Sequence, residues 1–136
     1  MAAVLAHWDV PDVWLDPAIA KKYFIHWSHT CKGFGITDIG FVQNVTIGDY
    51  GDSQITLRKF NTLQEGIDHY TAAGFTPVYV EQGGTLLEQY TFPTNPVFVF
   101  GSDYGQLPQA DVSFNSTIGV HAEVAMGIVL NKWVNG

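Results

Sequence analysis

The residues able to do chemistry gather at three places in the chain. His26 and His29 stand three apart in FIHWSHTCKG, Ser102, Asp103 and Tyr104 lie between the glycines of GSDYGQLP, and His121 and Glu123 flank Ala122 in GVHAEVAMG. A neutral imidazole with an unperturbed pKa of about 6.5 can take the proton of a hydroxyl, which makes His29 a candidate general base. The plainer reading of His29 is a partly buried histidine that the dipole favours near a helix C-terminus. His26 and His29 share a helix face, yet a zinc site needs a third ligand that this pattern does not supply, so no metal is expected. Glu123 and His121 fall in the first turn of a helix, where a carboxylate is favoured by the positive end; they could also face a substrate across a dimer seam. Asp103 can bond loop amides or contact substrate. Tyr104 and Trp27 can stack on a base, although most aromatics in so aromatic a chain are core.

The composition bounds what those residues can serve. The chain has 136 residues, 46% hydrophobic and 14% charged, with 4 Trp, 6 Tyr and 9 Phe, which excludes disorder and predicts one domain over residues 1–136. So much apolar surface predicts self-association, as a homodimer. No apolar run approaches the roughly 20 residues of a membrane span, and no charged segment leads into an apolar one at the N-terminus, so a cytoplasmic protein without membrane contact is expected. A single cysteine, Cys31, excludes an intrachain disulfide and fits a reducing compartment. The net charge of −7 opposes nonspecific attraction to phosphate, so any nucleic-acid role must be local or assisted by a helper protein. Four of the six basic residues form two pairs, Lys21 with Lys22 and Arg58 with Lys59, either of which is a small positive patch or ordinary solvated surface.

The elements that must position these residues alternate between strand and helix. Ala2 to His7 reads as a buried strand, and Asp16-Pro17 opens a helix running to about Lys32, where Gly33 and Gly35 stop it. Ile36 to Gln43 and Gln54 to Phe60 read as strands. Asn61 with Gln64 resembles a capping box for a helix through Leu63, Ile67 and Tyr70 that ends at Gly74. Thr76 to Glu81, Pro96 to Phe100 and Asp111 to Phe114 complete the strands, and Val120 to Val134 is a nearly all-apolar helix. The alternation predicts α/β: a mostly parallel sheet with helices on both faces. Ligands in such sheets bind beyond the carboxyl ends of the strands. That directs attention to the loops after His7, Glu81 and Phe100 and to the turn from Asn115 to Gly119.

GSDYGQLP, DVSFNSTIG and VHAEVAMGIVLNKW, in that order, resemble the SpoU/TrmH branch of the SPOUT superfamily of RNA methyltransferases. There an apolar strand ends in Gly, a small polar residue, an acid and a glycine turn, and a Ser-Leu-Asn-Val-Ser-Val-Ala type segment opens the last helix. Gly101, Ser102, Asp103, Gly105, Leu107 and the stretch Gly119 to Ala125 are the counterparts here. Upstream, HTCKGFGITDIGFVQ is similar to the family's Arg-Thr-x-x-x-x-Gly helix end and the following strand, with His29-Thr30 and Gly35 matching. The layout agrees over nearly the whole chain, and Gly101 to Leu130 agrees most closely.

The resemblance implies a C-terminal trefoil knot and an S-adenosylmethionine pocket formed by Val80, Phe100, Gly101, Ser102, Gly105, Leu107, Ile118 and Val120. It also implies transfer of methyl to RNA, a ribose 2′-hydroxyl of tRNA or rRNA, with His29, Glu123 and His121 as catalytic candidates and Lys21, Lys22, Asp103 and Tyr104 on the substrate. The departures bear on chemistry. His29 stands where the family has arginine, Tyr23 where it has asparagine, Asp103 for glutamate in a loop one residue shorter, and His121 and Glu123 for an asparagine and a serine of the last motif. A pocket made chiefly of backbone groups tolerates such changes better than catalysis does. The alternative is therefore a binding module or partner subunit that keeps the knot and cofactor; a third reading is an α/β domain of similar layout with no cofactor.

Overall fold

The structure, a computed structural model, describes residues 1–8, 17–43, 54–101, 107–114 and 122–136, with residues 8, 17–24, 43 and 123 described by their main chain alone. Its elements run β1 (Ala3–Trp8), α1 (Pro17–Gly33), β2 (Asp38–Gln43), β3 (Thr56–Phe60), α2 (Leu63–Ala72), β4 (Thr76–Leu86), β5 (Pro96–Phe100), β6 (Val112–Ser113) and α3 (Ala122–Asn135), with one 3-10 turn at Leu87–Gln89. The strands form one sheet in the order β3-β2-β1-β5-β4-β6, and every pairing among the described residues is parallel. This is the α/β architecture that the alternation predicts.

The interior strands are continuous apolar runs because both their faces are covered. Val4 and Ala6 of β1, Ile39 and Phe41 of β2, Val78 and Val80 of β4, and Phe98 and Phe100 of β5 point to one side, where Trp27 and Cys31 of α1 and Met126, Val129 and Leu130 of α3 meet them. Ala3, Leu5, Val97 and Val99 point to the other side, against Tyr70 of α2. Period two along each strand thus feeds two separate cores. The Trp27 ring stands edge-on to Phe41 and Phe100, with centroids 6.2 and 5.7 Å away. Trp27 is 6% exposed, so it is a wall of the core and is withdrawn as a base-stacking candidate. The Cys31 thiol donates to the Met126 sulfur at 3.6 Å, joining α1 to α3.

Both α1 and α2 end in the same way. Gly35 and Gly74 take φ of 77° and 95°, which lets Ile36 N–H reach Cys31 O and Phe75 N–H reach Tyr70 O, each at 2.9 Å. This is the paired reverse bonding of a Schellman stop, and it needs a residue that tolerates left-handed backbone. The start of α2 differs from expectation by one residue. Thr62, extended at φ −133°, accepts the Glu65 N–H at 3.2 Å, while Glu65 accepts the Asn61 N–H at 3.1 Å. The box is Thr62 with Glu65, not Asn61 with Gln64, because two competent caps stand side by side and only one has the acid at the right distance.

Two other boundaries shift. β4 continues past Glu81 to Leu86, with a register jump between Val80 and Thr85, both of which pair with Val112. The last helix is described from Ala122 onward, so Val120 and His121 fall outside the described residues. At the opposite edge Arg58 donates through Nε and Nη2 to the two carboxylate oxygens of Asp38, at 3.0 and 3.2 Å, and Tyr70 OH donates to the same carboxylate at 2.9 Å. Arg58 therefore ties β3 to β2 and is not half of an uncommitted cationic patch. Burial, then the Asp38 charge, pushes the Tyr70 phenol above its usual range.

Candidate functional site

In the strand order the chain moves outward from β1 to β2 and β3, and in the other direction from β5 past β4 to β6. The connections diverge between β1 and β5, and a crevice at their carboxyl ends is where an open parallel sheet binds ligands. Ala6 pairs with Phe100 on one side of β5, and Val80 pairs with Phe100 on the other. Gly101 follows directly, half-buried. The chain is next described at Leu107, which is buried on the α2 side with Val97 and Val99.

The ends of β1, β4 and β5 thus lie side by side at Ala6, Val80 and Phe100. The side chains of Val80 and Phe100 are nevertheless committed to the core between sheet, α1 and α3, with Phe100 1% exposed. What these two residues present at the edge is main chain, and Gly101 adds main chain with no side chain in front of it. Such a rim suits a group with polar edges, since backbone N–H and C=O groups can pair with them; the Leu107 side chain, 7% exposed, is committed to the core on the α2 side.

Two carboxylates brace this rim. Glu81, the first residue beyond the regular β4 pairing, accepts the Leu107 N–H through Oε2 at 3.2 Å and the Gln82 N–H through Oε1 at 3.1 Å. Asp111 accepts the Tyr79 N–H at 2.9 Å while its own N–H donates to Tyr79 O at 2.8 Å, and Gln109 Nε2 donates to it at 3.2 Å. Asp111 thereby fixes where β6 starts along β4. Burial raises the Tyr79 and Tyr90 phenols, and the Asp111 charge adds to it in both. Neither acid is among the residues that the sequence singles out. The run TPVYVE signals a strand with an acid at its exit, but nothing local points to a partner 26 residues away.

The remaining candidates are distributed as follows. His29 is exposed on α1, one turn before the helix end. That helix leads from the carboxyl end of β1 back to the start of β2, so His29 is about 18 Å along it from Pro17, at roughly 1.5 Å per residue. His29 stands two residues beyond Trp27, whose ring meets that of Phe100, the residue before Gly101, at 5.7 Å. Lys21 and Lys22 lie in the first turns of α1, at the end nearer the carboxyl edge, with main chain alone described. Glu123 is the second residue of α3, likewise described by its main chain. Ser102, Asp103, Tyr104, Gly105, Ile118, Val120 and His121 lie outside the described residues. Among the described residues no group of three His, Cys, Asp or Glu could hold a metal ion, and no helix is long and apolar enough to cross a membrane.

Neither a protein-family profile nor a curated protein matches the chain. Solved structures do. The AdoMet-bound rRNA methyltransferase from Sinorhizobium meliloti superposes with a TM-score of 0.72 at 17% identity, over 96% of this chain and 54% of that one. The TrmH/SpoU tRNA modifying enzyme of A. aeolicus gives 0.67 at 17%, over 98% and 74%. A structure concerned with 2-OH methylation of C/U34 on tRNA gives 0.64 at 11%, over 99% and 98%. The chain thus spans little more than half of the first protein and nearly all of the third. Its fold is that of the SpoU-type structures on which it superposes.

Proposed function

We propose that the chain binds S-adenosylmethionine at the carboxyl edge of β4 and β5 and passes its methyl group to RNA, at a ribose 2′-hydroxyl of a tRNA or rRNA nucleotide. The observation that supports this reading is that β4 and β5 of a SPOUT-like sheet end side by side at Val80 and Phe100, with Gly101 next and the Leu107 N–H bonded to Glu81. The bound cofactor supplies an electrophilic methyl on a sulfonium. Main chain at Val80, Phe100, Gly101 and Leu107 would hold its polar edges; Ser102, Gly105, Ile118 and Val120 would complete the pocket, and the chain would thread it as a trefoil knot. The protein's part in transfer is chiefly positioning. The imidazole of His29 would take the proton of the ribose hydroxyl that receives the methyl group.

The reaction is that of a homodimer, with the exposed His29 of α1 at the seam between the copies. Ile25 on α1, one turn from His29, and Val124 and Ile128 on the adjoining α3 are each about two-fifths or more exposed and supply an apolar seam. Lys21, Lys22, Asp103 and Tyr104 then contact the RNA, and Glu123 and His121 act at the seam. A second reading, a cytoplasmic partner subunit that keeps the pocket without transfer, is favoured by the charge of −7 and by the pairing of Arg58 with Asp38. On either reading a basic helper protein strengthens RNA contact.

Tritiated S-adenosylmethionine incubated with bulk cellular RNA separates the two. Label in alkali-resistant dinucleotides, lost in His29→Ala, is expected for transfer to the ribose. Cofactor binding without any label would overturn transfer and leave the partner-subunit reading.

A further inference from the structure

Glu81 has no part in the reading above, yet its carboxylate is engaged by main-chain donors on both oxygens. One is local, the Gln82 N–H; the other is the N–H of Leu107, the first described residue after 102–106. Glu81 stands in the irregular stretch of β4 between Val80 and Thr85, both paired with Val112. Bulges of this kind re-aim side chains near the ends of sheets. Regular pairing with β5 ends at Val80, opposite Phe100, so the next side chain is the first that can reach beyond the sheet edge.

We propose that Glu81 is a positioning residue for the cofactor pocket: its carboxylate fixes Leu107 beside the ends of β4 and β5. This rests on the pocket assigned above. A charged acceptor gives a stronger hydrogen bond than a neutral one, and both bond ends lie where water is partly excluded, with Leu107 7% exposed. With Leu107 held in place beforehand, less ordering is left to be lost when a ligand binds.

The test compares wild type, Glu81→Ala and Glu81→Gln. Glutamine keeps an oxygen that accepts the Leu107 N–H; alanine does not. Amide hydrogen exchange at Leu107 reports the latch in the absence of any ligand, and calorimetry with S-adenosylmethionine reports the pocket. Exchange at Leu107 is expected to speed up about tenfold or more in Glu81→Ala, with affinity about tenfold weaker, and both to return to within about threefold of wild type in Glu81→Gln. Unchanged exchange in Glu81→Ala overturns the latch. Faster exchange with unchanged affinity overturns its service to the pocket. Failure of wild type to bind at millimolar ligand overturns the cofactor reading itself and the role given to Glu81, whatever the exchange shows. A thermal midpoint of Glu81→Ala far below wild type, with affinity lost equally in both variants, marks Glu81 as merely structural and also overturns the proposal.

Discussion

Substituting Gly84 by alanine tests how β4 and β6 are joined. A Cβ built on Gly84 would lie 2.7 Å from Val112 N, 2.8 Å from Asp111 C and 3.0 Å from Asp111 O. All three are main-chain atoms, which cannot rotate away as a side chain can. Relief requires β4 and β6 to part, which strains the Ser113 Oγ bond to Gly84 O at 2.9 Å and the Thr85 N–H bond to Asp111 O at 3.0 Å. Overpacking of this kind costs about 1–3 kcal/mol, and each weakened bond adds roughly 0.5–1.5 kcal/mol. A destabilisation of about 3 kcal/mol is expected, a fall in melting temperature of about 10 °C at an unfolding entropy of roughly 2.1 cal/mol/K per residue. Gly127→Ala in α3 is the control, since nothing lies within 4 Å of its Cβ. Replacing a helical glycine there is expected to stabilise by about 0.5–1 kcal/mol. Urea denaturation and thermal melting of the two variants measure both effects. Gly84→Ala within about 0.5 kcal/mol of wild type would refute the close approach of β4 to β6.

Asp38→Ala leaves the Tyr70 hydroxyl, on a residue 0% exposed, without its carboxylate and is expected to cost about 1–3 kcal/mol by urea denaturation. Adding Tyr70→Phe should recover most of that, because no buried donor then lacks a partner; Arg58, partly exposed, contributes little to either figure. Burial raises the Cys31 thiol from 9.0 to about 12, so above pH 9 the unfolded chain loses a proton that the folded chain keeps. Stability is full below pH 9 and falls between pH 9 and 12 by up to about 1.4 kcal/mol per pH unit from this group. The raised Tyr70 phenol adds to the fall above its ordinary value of 10.0. Denaturation curves at pH 8 to 10 should show the first decline in wild type and not in Cys31→Ala.

The elements whose physics is local were legible in the sequence. PVFVF is a strand buried at every position, as its unbroken apolar run implies, and α1 starts at Pro17 and stops through Gly35 because both signals act on the nearest backbone. The cap of α2 was displaced by one residue because Asn61 and Thr62 are equally able hydrogen-bond acceptors and only the Glu65 geometry chooses between them. The extension of β4 was hidden because QGGT reads as a turn, and its pairing to Val112 depends on a strand far along the chain. Glu81 with Leu107 and Asp111 with Tyr79 were invisible for the same reason: each is set by sheet order, not by spacing. Of the positions proposed for the cofactor, Val80 and Phe100 are register partners at the ends of β4 and β5, and Leu107 packs on the other face of the sheet. That α1 packs Trp27, two residues before His29, against Phe100 is likewise set by the packing of helix on sheet and not by sequence spacing.

The cofactor pocket is tested most directly by titrating S-adenosylmethionine into isotope-labelled protein and following backbone amide resonances. Saturable shifts centred on Glu81, Gly101 and Leu107, with Asp38, Arg58 and Tyr70 at the far edge unmoved, are the predicted result. No saturable shift at millimolar ligand, or shifts centred on the Asp38 edge, would contradict a pocket at the carboxyl ends of β4 and β5.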